Sequence, residues 1–264
     1  MEFFANQFQI FVVLFARMLA LLSLMPAFGG AGVPFFYRMA LSFIISMIAT
    51  PVMNFSPEFY ELVANRYLYL ILEQILIGFL IGISLQIVFA AFQMAGEFFS
   101  VQMGFGISEV FDPLAQISLP LMGTIKNLIA LYVFFISSAH LMTFQAIVQS
   151  FTDHPYFALD FLNATGTHQG ILQFLTILGS AMFIIGLKIA FPIMGTLMLV
   201  STTLGLLSKA APQMNILMLG FPLKIIVAFL VLTWVSPYIV KTMFTQFETY
   251  FQHLDSLLRS WNPN

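Results

Sequence analysis

Long apolar runs separated by short polar breaks dominate the chain. Six apolar stretches stand out, at roughly 8–25, 38–53, 67–90, 120–150, 171–200 and 214–240. Most reach the length of about 20 residues that a helix needs to cross a hydrocarbon core. The pattern predicts an all-α polytopic membrane protein built of helical hairpins. The runs at 67–90, 120–150 and 171–200 exceed one span, so they are expected to tilt, bend or project from the bilayer. The breaks differ in kind. Residues 26–37 hold two prolines and three glycines and read as a turn between two helices. Residues 54–66 are polar enough for an aqueous loop. Residues 153–170 form the longest conventionally polar stretch and divide a four-segment part, 1–165, from a two-segment part, 166–240. Residues 201–213 (STTLGLLSKAAPQ) read as a short turn that makes the last two segments a tight hairpin.

Three segments carry a finer pattern. In the third stretch Gln74, Gly78, Gly82, Gln86, Ala90, Gln93 and Glu97 form a polar and small-residue row at steps of four and three. At 100° per residue this row stays on one side of a helix but drifts by roughly 140° over its length. Gly78 and Gly82 form a GxxxG match, which permits close helix approach. The row is either an internal packing face or a contact for a neighbour that wraps around the helix. Residues 98–120 (FFSVQMGFGISEVFDPLAQISLP) are too apolar for an aqueous loop and too rich in glycine and proline for a clean helix. Irregular backbone at membrane depth survives only where protein or a cavity covers it, so a re-entrant or lumen-filling loop is expected. In the tail, 241–264, Phe244, Phe247, Phe251, Leu254, Leu258 and Trp261 recur at steps of three and four, an amphipathic helix. It fits either the membrane interface or a partner helix.

Composition strengthens the membrane reading. Hydrophobic residues make up 60% of the chain and charged residues 8%, against about 25% charged in an ordinary soluble domain. A net charge of −2 points to no nucleic-acid partner. The absence of cysteine excludes disulfides and thiolate metal sites. Phe and Met, at 32 and 16 residues, suit crowded and irregular helix contacts. Met1-Glu2 lacks a basic leader and Arg17 interrupts the first apolar run, so that run is expected to belong to the mature protein. Basic residues in the loops do not orient the chain: Arg66, Lys241 and Arg259 fall on one side, Arg38 and Lys209 on the other. No HExxH, GxSxG, phosphate loop or metal-spaced cluster is present, so neither an enzyme nor a cofactor or metal site is expected. His140 is a lone residue on an apolar segment.

Charge inside apolar stretches is the strongest functional signal. Arg17, Lys126, Lys188 and Lys224 lie well inside such stretches, and Glu73 lies in the third. Each charge facing lipid at mid-membrane costs roughly 2.5–3.5 kcal/mol. They either pair internally with Glu73 and Glu97 or face other subunits or an aqueous lumen. The short supply of acids favours the second reading. Lys224 follows Pro222 by two residues, where the missing proline N–H frees a carbonyl and bends the helix. The candidate assembly contacts are therefore Arg17, Arg38, Glu97, Lys126, Lys188 and Lys224, with Gly78 and Gly82 as helix-packing positions.

Several passages resemble the FliR/SpaR family of bacterial export-gate subunits. Arg17 and Arg38 flank the Pro/Gly-rich turn as in its N-terminal pattern. Gly96-Glu97, Gln102-Met103-Gly104 and Asp112-Pro113 resemble its central run, and Lys209-AAPQMNILMLGFPLKI resembles its most distinctive block. Together they span about residues 17–226. The last hairpin also resembles the two-helix FliQ subunit, through FPLK and the apolar run to Ser236-Pro237. The resemblance implies a FliP-like part, 1–165, followed by a FliQ-like hairpin, 166–240. It implies one copy assembled with five FliP-like and four FliQ-like subunits and an FlhB-like subunit, threaded by unfolded protein substrates, in the inner membrane at the flagellar basal body. The GFPLK form is closer to flagellar members than to those of virulence injectisomes; a small-solute transporter or channel is the remaining alternative. The segment matching the central run would fill the channel. Gly106, Ile107, Ser108, Glu109, Val110, Phe111, Asp112, Pro113 and Leu114 are the expected plug: apolar side chains to fill a lumen, acids that would find water there.

Overall fold

The computed structural model describes residues 2–30, 32–53, 59–60, 63, 65–104, 121–153, 165–213 and 216–260. Their regular structure is helical: α1 (Glu2–Leu24), α2 (Phe35–Ala49), α3 (Tyr67–Met103), α4 (Leu121–Ile136), α5 (Ala139–Asp153), α6 (Thr165–Ala210) and α7 (Ile216–Ser260). Four helical stretches are long and apolar enough to cross a membrane: Gln7–Leu24, Tyr67–Met103, Leu172–Ala210 and Met218–Leu258. A fifth appears if Met122–Ile136 and Ala139–Val148 count as one interrupted span. The all-α polytopic expectation therefore holds. At 1.5 Å per residue α3 runs about 55 Å and α6 and α7 close to 70 Å each, far beyond a hydrocarbon core of about 30 Å.

Two compact units are built from discontinuous chain: Met1–Val88, Ser138–Gly179 and Phe247–Asn264 in the first, Phe89–Ser137 and Ser180–Gln246 in the second. In the first unit, Val13, Leu14, Met18 and Leu21 of α1 are buried with Ile77 and Ile81 of α3, Ile147 and Phe151 of α5 and Tyr250 and Leu254 of α7. Phe43 of α2 meets Phe11 of α1 edge-on at 5.0 Å. In the second unit, Phe92 and Phe99 of α3, Ala130 and Phe134 of α4 and Ile189 and Ile193 of α6 form the core. Phe89 and Phe134 meet edge-on at 5.5 Å.

The turn after α1 is tied by Arg38. Its Nε–H donates to the Val33 carbonyl at 3.2 Å, and its Nη2–H donates to Val33 at 2.8 Å and to Gly30 at 3.4 Å. Pro34 precedes α2 with φ −55° and ψ 145°, where a proline N–H is not needed. α2 itself is turned inside out relative to a water-soluble helix. Ser42 and Ser46 are buried, whereas Phe36, Tyr37, Phe43, Ile44, Met47 and Ile48 are exposed.

Three boundaries differ from the sequence reading, and the bend allowed for in the run at 120–150 is located. Residues 98–103, read as the start of an irregular stretch, continue α3 to Met103, and Gly104 ends it at φ 89°. The run at 120–150 is broken at Ser137–Ser138, where Ser138 takes φ 56° and its carbonyl accepts the first amides of α5, from Leu141 and Met142. Residues 201–210, read as a turn, are the end of α6. Their hydroxyls stay inside the helix: Ser201, Thr202 and Thr203 donate to the carbonyls of Leu197, Met198 and Leu199. The polar stretch read as ending at 170 gives way to helix at Thr165.

The tail is the unbroken continuation of α7 to Ser260, and its row is buried within the first unit at Phe247, Leu254 and Leu258.

Candidate functional site

Arg17 stands at the centre of the first unit with 0% exposure. Its Nε–H donates to Gln74 Oε1 on α3 at 2.7 Å, and its Nη1–H donates to Ser150 Oγ on α5 at 2.7 Å. The guanidinium lies over the Phe151 ring with Cζ 3.6 Å from the centroid, a favourable cation–π geometry. Ser150 Oγ–H donates in turn to the Ile147 carbonyl at 2.7 Å. Three helices thus converge on one cation, which is bonded within its own chain.

Glycine makes that convergence possible. A Cβ on Gly78 would clash with the Arg17 carbonyl oxygen and approach Ala20 Cβ at 3.0 Å; one on Gly82 would lie 2.7 Å from Leu24 Cβ. The GxxxG pair is the α1–α3 contact. Gln74, one turn before Gly78, is carried to Arg17 by the same approach. The row on α3 does not stay covered: Gln86 and Gln93 are exposed.

In the second unit a like contact joins α3 and α4. A Cβ on Gly96 would lie 2.6 Å from the Met122 carbonyl oxygen and 2.8 Å from Gly123 Cα. Glu97 beside it is half-buried, and Gln93 Nε2–H donates to its Oε1 at 2.9 Å. Lys126 is 3% exposed with Nζ 5.9 Å from the Phe99 ring centroid. Gly186 of α6 meets α3, where a Cβ would stand 3.3 Å from the Ala91 carbonyl oxygen.

The remaining candidates are at the surface of the chain. Lys188 is exposed on α6 and Lys224 half-exposed on α7. Between Asp160 and Glu248 the sequence contains no acid but four lysines, Lys188, Lys209, Lys224 and Lys241. Around them Phe183, Phe191, Leu199, Ile226, Phe229 and Trp234 are exposed, Trp234 by 85%. Gly106, Ile107, Ser108, Glu109, Val110, Phe111, Asp112, Pro113 and Leu114, the expected plug, lie outside the described residues. Among the described residues no group of three or more His, Asp or Glu could hold a metal ion.

Sequence reasoning missed Gly96, Gly123 and Gly186 as contact positions, and Gln74 and Ser150 as partners of Arg17. It also missed the buried pair of Ser84 on α3 and Tyr250 on α7, whose hydroxyls lie 2.9 Å apart. Tyr250 further donates to the Ile81 carbonyl at 3.2 Å. Position 84 lies two residues after Gly82, off the row that drew attention to α3.

Comparison with known proteins agrees with this helical, membrane-suited chain. A family described as bacterial export proteins, family 1, matches residues 8–250. The chain belongs to bacterial export protein family 1. Members of the family resemble it over most of their length. The flagellar biosynthetic protein FliR of Escherichia coli strain K12 is 31% identical over 225 residues, covering 84% of this chain and 82% of the relative. FliR of Bacillus subtilis strain 168 is 30% identical, covering 85% of each chain. FliR of Aquifex aeolicus is 26% identical over 248 residues, covering 93% and 92%. The FliR/SpaR resemblance carried by the Arg17–Arg38, central and GFPLK motifs is thereby borne out.

Proposed function

We propose that this export-family chain is a core subunit of the flagellar protein-export gate, acting without catalysis. The observation that carries the proposal is the family match over residues 8–250, with relatives named flagellar biosynthetic protein FliR along most of both chains. In this reading one copy joins FliP-like and FliQ-like subunits, five and four, with an FlhB-like neighbour, in the inner membrane. Unfolded substrate proteins pass through the assembly. The surface of α6 and α7 supports a partner rather than lipid alone. Lys188 sits near the middle of α6 and Lys224 eight residues into α7, both within apolar stretches where a lipid-facing charge is costly. Carboxylates or carbonyls of neighbouring subunits would meet them, since the stretch between Asp160 and Glu248 contains no acid. Arg38, Glu97 and Lys126 also make or approach groups within their own chain, so the assembly role falls most heavily on Lys188 and Lys224.

Co-expression with the FliP-like and FliQ-like proteins, followed by native mass spectrometry, tests the assembly. A defined hetero-oligomer with one copy of this chain is expected. A stable, folded monomer that gains nothing from co-expression would defeat the proposal.

Residues 106–114 are proposed as the resting plug. A pore wide enough for an unfolded chain would leak ions when idle, so it needs a filler. Removing residues 108–114 is expected to leave an assembled complex that conducts small ions and still exports. Loss of assembly would make the segment a structural crossover, and a sealed complex would end the plug assignment.

A further inference from the structure

The last turns of α7 have two faces of opposite character. Phe247, Tyr250, Leu254 and Leu258 are buried in the first unit. Every exposed residue described between Thr245 and Leu258 is polar: Thr245, Glu248, Gln252 and Ser256, at steps of three, four and four. Upstream, the same helix exposes Ile226, Phe229, Leu230, Trp234 and Tyr238. Its outer face thus turns from apolar to polar within about two turns. Tyr250 fixes the level of the polar face. Its hydroxyl lies 2.9 Å from Ser84 Oγ and donates to the Ile81 carbonyl at 3.2 Å. Ile81 and Ser84 stand near the middle of α3, the most apolar of the four candidate spans. Within two turns of that level, another face of α3 exposes Ile75, Leu76 and Phe79. A unit surrounded by hydrocarbon would be apolar all round. This one is apolar on α3 and polar on α7 at a single level, and the carboxyl of Glu248 and the amide of Gln252 are costly against acyl chains.

We propose that residues 245–258 form a strap, with its outer row against water at the level of the middle of α3 and its inner row closing the first unit over Ile81 and Ser84. The middle of α3 then lies beside water rather than at the centre of a lipid-surrounded bundle. The inner row is taken by its own chain, so no partner helix occupies it. The strap follows in sequence all the other helices that build the first unit, so that unit closes last. The inference is independent of the flagellar reading.

The chain contains no cysteine, so a single introduced thiol reports on water at a chosen position. A thiol attacks N-ethylmaleimide as the thiolate, which burial in apolar surroundings disfavours. In full-length chains in native membranes, Glu248→Cys and Gln252→Cys should react at least about tenfold faster than Phe247→Cys and Leu254→Cys. Slow reaction at both outer positions would overturn the aqueous face. Inner positions that react as fast as the outer ones would overturn the strap. Ser84→Cys should be shielded in the full chain and become reactive when the chain is stopped after Gln246. A Ser84→Cys thiol that stays shielded after the truncation would overturn closure by the tail. Should the shortened chain fail to accumulate, Leu254→Glu in the full-length Ser84→Cys chain should expose the same thiol, and continued shielding there would equally defeat the closure.

Discussion

Arg17 shows how a residue is misjudged when only charges are counted. The sequence displays four cations in apolar stretches and few acids, which points outward to other subunits. The structure gives Arg17 two neutral acceptors, Gln74 and Ser150, and an aromatic face, Phe151. Ser150 lies 133 residues away along the chain, and nothing in a linear pattern announces it. Gly78 and Gly82, by contrast, were legible because close helix approach leaves a spacing signature. Gly96 has no such spacing, yet its contact is as tight, and it makes a sharp prediction. Gly96→Leu drives a side chain into the Met122 carbonyl, which cannot move aside as a flexible side chain can. A loss of at least about 1–3 kcal/mol is expected, read as lower accumulation and a lower midpoint of the chain in membranes. Gly195→Leu on α6, where a Cβ meets nothing within 4 Å, should leave both unchanged. Tyr250→Phe removes a buried hydroxyl, but Ser84 still donates to the Ile81 carbonyl at 2.8 Å. The expected cost is therefore modest, about 0.5–1.5 kcal/mol, again read from the thermal midpoint.

At the scale of elements, the apolar runs located the helices, and side chains that hide their polarity moved the boundaries. Ser201, Thr202 and Thr203 looked like turn residues because free hydroxyls seek water. Bonded to carbonyls four residues back, they extend α6 without needing it. The bend expected within 120–150 falls at Ser137–Ser138, where no glycine or proline marks it. Ser137 donates to the Phe134 carbonyl at 3.2 Å, and Ser138 accepts the first amides of α5, so the serines supply the bonds that a helix end lacks. Pro222 lies inside α7 without ending it. Pro222 has no N–H to donate within the helix, and the half-exposed Lys224 lies two residues after it. Lys224→Met keeps length and apolar stem while removing the ammonium. Normal membrane insertion with loss of the hetero-oligomer is expected. A variant that assembles and exports like the parent would remove Lys224 from the proposed interface.

For the whole molecule, the all-helical, multi-span character was readable from hydropathy, but the compact units were not. α3, α6 and α7 each contribute to both units, a division that linear composition cannot mark. Burial also sorted the cations: Arg17 and Lys126 are inside, Lys188 is outside.

The serines beneath α2 have a consequence for anyone who would work with this chain in water. Its outer row, Phe36, Ile44, Met47 and Ile48, is where polar replacements would go, while Ser42 and Ser46 would have to stay. A redesign guided by hydropathy would do the reverse, sparing the apolar row as core and altering the serines as surface. It would cut into the buried side of α2 and leave the exposed apolar face intact. For such a helix, solubility has to be engineered from burial, with side-chain polarity ignored.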